Sequence, residues 1–299
     1  MNTDRCIVLQ NRDNTVTVTP VGARCMQWTH HRSGAQIFHC DSEPILSGIP
    51  LLFPVNRIDG GRFVCCGTEY RLPVNDPATG CSLHGTIHSD AFSVTERAAC
   101  SCTLRYDSNG EYFGFPQHFS LSVTYTLEAD SLRQTVTLSN ISGPPLPVLL
   151  GFHTAFAIPP VPHTDADDMR VMADLAASVS RSERHLTVGR TPPDDVFDAL
   201  CTGTYRPGIP ISRQFLAGEN GTVVLLDTKT GLSVTYAPDP HLRYRLIFSA
   251  GRDYLCIEPQ TCAVNAVNLP PDSPDAEYPV LSAGASATYV SFISAAYHA

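Results

Sequence analysis

Long apolar runs are missing from this sequence of 299 residues. No segment approaches the roughly 18 uninterrupted apolar residues that a membrane-spanning helix needs. The first residues, MNTDRCIVLQNRD, lack the basic start and the apolar core of a secretion signal. We therefore expect a cytoplasmic protein that does not act at a membrane.

Basic residues are also few. The chain has 20 Lys and Arg against 29 Asp and Glu, a net charge of -9, and no basic stripe that could follow a phosphate backbone. Nucleic acid is therefore not an expected partner. The GxSxG, GxGxxG and P-loop motifs are absent, which leaves serine-hydrolase, nicotinamide-dependent and kinase-like chemistry without support.

Cysteine is plentiful, with 11 residues, but its pattern does not suit a disulfide framework. The number is odd, the chain is long, and the adjacent Cys65 and Cys66 would face opposite sides of a strand. Cys100 and Cys102 lack a second pair at zinc-site spacing. We expect mostly buried thiols that serve as small apolar residues, with no bound metal.

Short stretches that alternate apolar and polar residues run through the chain, and no long stretch has a helical period. In the clearest, every second residue from Phe119 to Leu127 is apolar and the residues between are Ser or Thr. With residues 132–138 it predicts a long antiparallel hairpin. Many short strands predict an all-β fold, a large β-sandwich or barrel. No shift in composition marks a boundary, so we expect one domain over residues 1–299.

The alternation is weak between residues 159 and 210, which are rich in Pro, Asp and Ser. Here we expect a long irregular excursion with one helical turn near residues 169–177. A continuous apolar run at residues 145–152 predicts a buried strand. Strand patterns return at residues 222–226, 232–236, 244–249, 254–258 and 287–293.

The stretch from residue 48 to 88 reads GIPLLFPVNRIDGGRFVCCGTEYRLPVNDPATGCSLHGTIH. Gly and Pro interrupt it every few residues, which predicts short strands and loops. Loops on a rigid β scaffold can aim Asn56, Arg57 and His84 at one ligand in a cleft. Ordinary surface turns are the alternative.

Two side chains are candidates for proton transfer. Glu258 follows the apolar residues 254–257, and burial there would raise its pKa toward the range of a general base. The alternative is a Glu that faces water at a strand end. His153 follows the run 145–152, and its imidazole could transfer a proton near neutral pH. A hydrogen-bonded core histidine is the alternative.

Other polar residues are less specific. Gly85, which has no side chain, would let a ligand approach His84. The spacing of His84 and His88 suits a metal site on a helix, but Gly85 and the β context argue against a helix. Asp194 and Asp195 lie in the weakly patterned region, where solvated turn residues are the alternative.

Taken in order, these pieces resemble the aldose 1-epimerase (galactose mutarotase-like) family. The matching segments are Gly22-Ala23, GIPLLFPVNRIDGGRF at 48–63, LHG at 83–85, GFHTAF at 151–156, Asp194 to Phe197, CIEPQT at 256–261, and Asn268. They cover most of the chain. The resemblance implies a single large antiparallel β-sandwich with a sugar bound in a cleft on one sheet.

The resemblance also implies roles for individual residues. Glu258 would be the base that takes the proton of the sugar C1 hydroxyl, and His153 the acid that protonates the ring oxygen. Ring opening, rotation about the C1–C2 bond and reclosure would then interconvert the α and β anomers without a metal or cofactor. The substrate-binding residues would be His84, Arg57, Asp194 and Asn56.

Some positions depart from the family pattern. Phe92 stands where many members carry a Trp, and Thr154-Ala155 replaces the commoner Pro-aromatic pair. Both changes could alter the wall against which the sugar stacks. Asp195 or Asp198 could align in place of Asp194.

The expected substrate is a free hexose or a related aldose. A hexose 6-phosphate is one alternative, for which Arg57 and Arg62 are the only obvious cationic groups in the block 48–88. A non-catalytic carbohydrate-binding protein is a second alternative. A glycoside hydrolase that uses Glu258 and Asp194 as its carboxylate pair is a third.

Overall fold

The computed structural model describes residues 6–251 and 253–297. Within these ranges the first half of the chain forms strands β1 (Ile7–Gln10), β2 (Asn14–Thr19), β3 (Arg24–His30), β4 (Ala35–Gln36), β5 (Leu51–Leu52), β6 (Arg57–Asp59), β7 (Arg62–Cys65), β8 (Thr68–Arg71), β9 (Cys81–Leu83), β10 (Ser93–Arg97), β11 (Ser101–Asp107), β12 (Phe119–Leu127) and β13 (Ser131–Asn140).

The second half adds strands β14 (Leu146–Pro147), β15 (Gly151–Phe152), β16 (Thr154–Ala157), β17 (Met169–Ala173), β18 (Leu175–Arg181) and β19 (Thr187–Thr191), helix α1 (Asp195–Thr202), and strands β20 (Ile211–Ala217), β21 (Val223–Asp227), β22 (Leu232–Ala237), β23 (Tyr244–Ser249), β24 (Tyr254–Gln260), β25 (Val280–Leu281) and β26 (Ser286–Tyr297). Short 3-10 helices span Pro44–Leu46, Ile87–Ser89, Ala166–Asp168 and Ala266–Asn268.

Two eight-stranded antiparallel sheets dominate the structure. The first sheet has the order β10-β11-β12-β13-β26-β22-β21-β17. The second, which we call the cleft sheet, has the order β19-β18-β20-β23-β24-β15-β5, and β16 also pairs with β24. Strands β1 to β4 form a smaller sheet, and the remaining strands pair as β14-β25, β6-β9 and β7-β8.

The two large sheets share one apolar core. It contains Leu121 of the first sheet and Ile257 of the cleft sheet, both fully shielded from water. The ring centroids of Phe156 in β16 and Tyr236 in β22 lie 5.8 Å apart. The hydroxyl of Thr154 also donates a hydrogen bond of 3.4 Å to the Tyr236 hydroxyl across this layer. The antiparallel β-sandwich is therefore confirmed, while one domain over residues 1–299 stays a prediction.

Every residue of β24 is buried. Leu255 and Ile257 pack into the core between the sheets. On the opposite face, Cys256 packs with Ala155 and Tyr254 in a separate small cluster, and Glu258 points to the same side because side chains alternate along a strand. A second layer of chain thus covers the outer face of the cleft sheet and creates a buried polar site.

The structure corrects the prediction for residues 159–210. The helical turn expected near residues 169–177 is wrong, because β17 and β18 lie there and pair with β21 and β20. These partners are distant in sequence, and their hydrogen bonds override a local sequence rich in Met, Ala and Leu. The region also holds β19 and α1, so it is not an irregular excursion.

The apolar run 145–152 is also not one strand. Only Leu146–Pro147 and Gly151–Phe152 pair as strands. All 11 cysteines are free, and six of them are buried: Cys25, Cys65, Cys81, Cys102, Cys256 and Cys262. Among residues 6–251 and 253–297, no helix is long and apolar enough to cross a membrane.

Candidate active site

A cleft of about 430 Å³ lies on the outer face of the cleft sheet, above β23 and β24. The loops of residues 43–57 and 83–84 form one side of it. Its described lining residues are Glu43, Ile45, Leu46, Asn56, Arg57, Leu83, His84, His153, Arg181, His185, Ser212, Leu246, Phe248, Ala250, Tyr254 and Glu258. Five of the six residues predicted to form the site therefore line one cleft, with Asp194 as the exception.

Glu258 and His153 form a buried pair in this cleft. The Nε2 atom of His153 lies 3.3 Å from the Oε1 atom of Glu258. Glu258 is 2% exposed and His153 is 5% exposed. Neighbouring strands bring them together, because Gly151 pairs with Gln260 and Thr154 pairs with Ile257 on either side of the pair. Glu258 therefore does not face water at a strand end.

Burial shifts the pKa values of the two groups in opposite directions. It raises the pKa of Glu258 to about 8, an effect that the charges of Arg181 and Arg57 and a hydrogen bond from Gln260 partly offset. It lowers the pKa of His153 to about 4. Low-dielectric surroundings disfavour the charged form of either group. Both shifts favour the neutral forms, a protonated carboxyl group beside a neutral imidazole, so that the pair shares one proton.

Two glutamines orient the Glu258 carboxyl group. The amide of Gln260 donates a hydrogen bond of 3.2 Å to Oε2 of Glu258. The amide of Gln214 in turn donates one of 2.9 Å to the Gln260 carbonyl. The Oε1 atom is thereby left toward His153 and the cleft. This support was not predicted, although Gln260 stands two residues after Glu258 and so projects to the same face of β24.

His84 stands edge-on to His153, with ring centroids 5.8 Å apart and an interplanar angle of 87°. Its Nδ1 atom accepts a hydrogen bond of 3.3 Å from the Asn56 backbone N–H, and the backbone N–H of His84 donates to the Asn56 carbonyl. Nδ1 is therefore unprotonated, and Nε2 is left for another partner. Burial holds the pKa of His84 well below its usual value.

Gly85 fixes the backbone beneath His84. It has a φ of +61°, and a Cβ atom there would lie 2.2 Å from the carbonyl oxygen of Phe53. Any other residue would push the two segments apart. The absence of a side chain at Gly85 thus allows the close backbone packing between residues 53 and 85, in addition to any space that it leaves for a ligand.

Asp76 orients Arg57 at the cleft wall. Its Oδ2 atom accepts hydrogen bonds from Arg57 Nε at 2.9 Å and from the Thr79 hydroxyl at 2.7 Å. Thr79 and Arg57 both hold the pKa of Asp76 below its usual value, with Thr79 as the largest cause. Asp76 thus holds the Arg57 side chain at the wall of the cleft. No sequence pattern singled out Asp76.

Arg181 and His185 are two further lining residues that were not predicted. Arg181 ends β18, and its Nη2 donates to the backbone carbonyl and, at 2.9 Å, to the hydroxyl of Ser212. His185 lies in the turn that follows, with φ +61°. Both belong to residues 159–210, where the alternation is weak and only one helical turn, near residues 169–177, was predicted, so no pattern pointed to them.

Asp194 lies in an adjoining cleft of about 490 Å³, which shares Arg181, His185 and Ser212 with the first. Its carboxylate caps α1 by accepting a hydrogen bond of 3.0 Å from the Phe197 N–H. It also forms an ion pair of 2.7 Å with Arg213. These two contacts give Asp194 a structural role that the sequence analysis did not predict.

No group of three or more His, Cys, Asp or Glu is arranged to hold a metal ion in the parts of the chain that are described. The pair of His84 and His88, considered above for metal binding, lies around a 3-10 turn that begins at Ile87. His84 instead uses its Nδ1 for the contact with Asn56.

A family model for aldose 1-epimerase matches residues 5–285. The chain belongs to the aldose 1-epimerase family. This finding confirms the resemblance noted in the sequence. The galactose mutarotase-like protein of Clostridium acetobutylicum has the same fold, with a TM-score of 0.91 at 23% identity over 98% of this chain and 95% of that chain.

Two other relatives are more distant in fold or cover less of the chain. The GalM/aldose epimerase homologue of Caenorhabditis elegans, 15% identical, superposes with a TM-score of 0.81 over 98% of this chain and 99% of that chain. YphB of Escherichia coli (strain K12), an uncharacterized protein, is 25% identical over 232 residues, which are 73% of each chain. These likenesses support the fold and the family without naming a substrate.

Proposed function

We propose that the protein is an aldose 1-epimerase, an isomerase that interconverts the α and β anomers of a free hexose or a related aldose. The observation that carries the proposal is the pair of Glu258 and His153, 3.3 Å apart and shielded from water in a cleft large enough for a sugar ring. Membership of the aldose 1-epimerase family supports the same reaction class.

The reaction needs one base and one acid on a hemiacetal. In the proposed mechanism the Glu258 carboxylate takes the proton of the C1 hydroxyl, while protonated His153 donates its proton to the ring oxygen. The C1–O5 bond breaks and leaves a free aldehyde. After rotation about the C1–C2 bond, the reverse transfers close the ring on the other face. Positioned acid and base groups each contribute about 100- to 10,000-fold.

The single proton of the pair suits this cycle. The mechanism starts from carboxylate and imidazolium, which together hold the same number of protons as carboxyl and neutral imidazole. A C1 hydroxyl that donates to Glu258 and a ring oxygen that accepts from His153 would both stabilise the charged arrangement. Sugar binding would therefore shift the proton from Glu258 to His153 without exchange with solvent.

The remaining cleft residues would bind the sugar hydroxyls. Arg57 and His84 line the cleft, and the backbone N–H of Asn56 fixes the ring of His84. The sugar-binding role that the resemblance implies for Asp194 stays a prediction. Because Asp194 and Glu258 line different clefts, the structure offers little support for a glycoside hydrolase that pairs them.

Polarimetry or NMR exchange spectroscopy over a panel of aldoses tests the proposal. We expect the wild-type protein to speed equilibration of at least one pure anomer well above the buffer rate, and the Glu258→Gln protein to do so far less. If calorimetry detects binding of a sugar whose anomers equilibrate at the uncatalysed rate, the protein is a carbohydrate-binding protein and the proposal is wrong.

A further inference from the structure

Among the residues that the structure describes, Arg181 has no carboxylate partner. Its guanidinium is half-buried at the junction of the two clefts, held by the Ser212 carbonyl and hydroxyl. Within residues 6–251 and 253–297, no carboxylate oxygen lies within salt-bridge distance of it. Guanidinium groups at half-buried positions are normally paired, because loss of hydration disfavours an isolated charge.

The neighbouring arginines differ from Arg181 in this respect. Arg57 is paired with Asp76 at 2.9 Å, and Arg213 with Asp194 at 2.7 Å. Burial, the largest cause, and the positive charges of Arg57 and Arg213 lower the pKa of Arg181, while the charge of Glu258 opposes them. Of the three arginines, Arg181 is therefore the one that forms no ion pair with a described carboxylate.

The other carboxyl groups of the cleft do not balance the charge of Arg181. Of the carboxyl groups, Glu258 has the strongest charge effect on Arg181. However, burial raises the pKa of Glu258 to about 8, and Glu258 pairs with His153. Glu43 is exposed at the rim, beside the 3-10 helix of residues 44–46. His185, which also lines the junction, has its pKa lowered by burial and by the charges of Arg57 and Arg181.

The sheet register gives the separation between Arg181 and the proton-transfer pair. Arg181 ends β18 beside Ser212 of β20, Ser212 pairs with Phe248 of β23, and Phe248 pairs with Cys256 of β24, two residues before Glu258. Three strand spacings across the sheet and two residues along it amount to about 16 Å between the backbones of Arg181 and Glu258. The long arginine side chain bridges part of that distance, which leaves room for one sugar ring between the guanidinium and Glu258.

We infer that the preferred substrate of this site is an aldose with an anionic substituent at the end remote from C1, bound by Arg181 at the junction of the two clefts. The inference rests on the proposed function and narrows its substrate class. A phosphate, sulfate or carboxylate group shares the needed chemistry, since each can accept two parallel hydrogen bonds from a guanidinium. The protein carries a net charge of -9, so this cationic junction would select anions locally.

The first experiment compares mutarotation of glucose, glucose 6-phosphate, glucose 6-sulfate and glucuronate at one pH and ionic strength. We expect kcat/KM for at least one anionic sugar to exceed that for glucose by at least about tenfold, as one hydrogen bond to a charged group warrants. The three anions identify which group the junction accepts. If no sugar is converted faster than in buffer, the proposed function fails. If glucose is converted and no anionic sugar is preferred, only this inference fails.

The second experiment removes the charge. Arg181→Gln should lower kcat/KM for the preferred anionic sugar at least about tenfold more than it lowers that for glucose. Arg184→Gln is the matched control, because Arg184 lies three residues away, pairs with Asp59 and is not among the described residues that line the cleft. An equal loss on both sugars with Arg181→Gln, or an equal loss in the control, would overturn the inference.

Binding offers a readout without turnover. The probes are 1,5-anhydroglucitol 6-phosphate and 1,5-anhydroglucitol, which lack the anomeric hydroxyl, titrated into the full-length protein by calorimetry. We expect tighter binding of the phosphate, weakened by Arg181→Gln, partly restored by Arg181→Lys and weakened by added salt. Equal affinity for the two probes would contradict the proposal even if the Arg181→Gln protein were poorly folded.

Discussion

His153 Nε2 lies 3.3 Å from Glu258 Oε1, and neighbouring strands of one sheet hold the two residues there. At this separation one proton can pass between the two groups. A sugar hemiacetal could then place its C1 hydroxyl at Glu258 and its ring oxygen at His153. Their opposite pKa shifts have the same cause, the removal of both side chains from water.

Replacing Glu258 by Gln tests the base. The change removes the proton acceptor but keeps the shape and one hydrogen-bonding oxygen, so we expect mutarotation to fall about 100- to 10,000-fold with sugar binding retained. Polarimetry gives the rate and calorimetry the affinity. A Glu258→Gln protein that retains most of its activity would show that another group is the base.

The pH profile of kcat/KM tests the shared proton. A second proton adds to the pair as the pH falls through the pKa of His153, about 4, and the last proton leaves as the pH rises through that of Glu258, about 8. We expect a plateau between these values and a decline on both sides, with limits that belong to the coupled pair. A profile that falls already between about pH 6 and about pH 7, where the unperturbed imidazole titrates, would contradict this arrangement.

Glu258 should also make the folded protein less stable in alkali. Its folded-state pKa is raised above the ordinary value of 4.5 to about 8, so its contribution to stability is fully present below pH 4.5 and is lost as the pH rises through 8. The Glu258→Gln protein has no such group. We expect its melting temperature to exceed that of the wild type by several degrees at about pH 9 and by much less at about pH 5. An equal difference at both pH values would contradict the buried-carboxyl interpretation.

Substitution of Asp76 tests the role of Arg57 in sugar binding. Asp76→Asn removes the charge that holds the Arg57 guanidinium at 2.9 Å, and we expect KM for the sugar to rise roughly tenfold with a smaller change in kcat. Asp59→Asn is the control, since it breaks a similar ion pair with Arg184 outside the cleft. If the two variants have the same KM, then Arg57 does not depend on Asp76 for binding.

Two substitutions of Asp194 distinguish a role in capping α1 from a role in sugar binding. Asp194→Ala should destabilise the protein by about 1 kcal/mol, whereas Asp194→Asn, whose side chain can still cap α1, should cost much less. Chemical unfolding measures both. KM values of the Asn variant then report on sugar binding, because that variant keeps the cap and loses the carboxylate. Equal destabilisation by Ala and Asn would rule out the cap as the source of stability.

Local patterns predicted the parts of this fold that depend on alternation. The alternating residues 119–127 and the residues 254–258 both form strands near their predicted bounds. Local patterns failed for β17, whose Met and Ala residues suit a helix as well as a strand. The pairing with β21 makes it a strand. Helix α1 was missed even though Asp194 at its start and Gly203 at its end are typical capping residues, because a helix of eight residues shows little periodicity.

The sequence predicted only those site residues that lie in segments resembling the family. Glu258, His153, His84 and Arg57 belong to the segments that resemble the family, and the structure brings them into one cleft. Asp76, Gln260 and Arg181 act through contacts with residues from 2 to 31 positions away. Their polar neighbours arise from strand register and turn geometry, which a single sequence does not reveal.

The strand pairing that flanks the two proton-transfer groups has a kinetic consequence. Gly151 and Thr154 hold their backbone bonds to β24 on both sides of His153, so the spacing of the pair is set before any sugar arrives. No hinge or loop closure is needed to assemble it. Turnover should accordingly be insensitive to added viscogen until sugar diffusion itself becomes limiting, and the amide hydrogens of β24 should be among the slowest in the chain to exchange with deuterium.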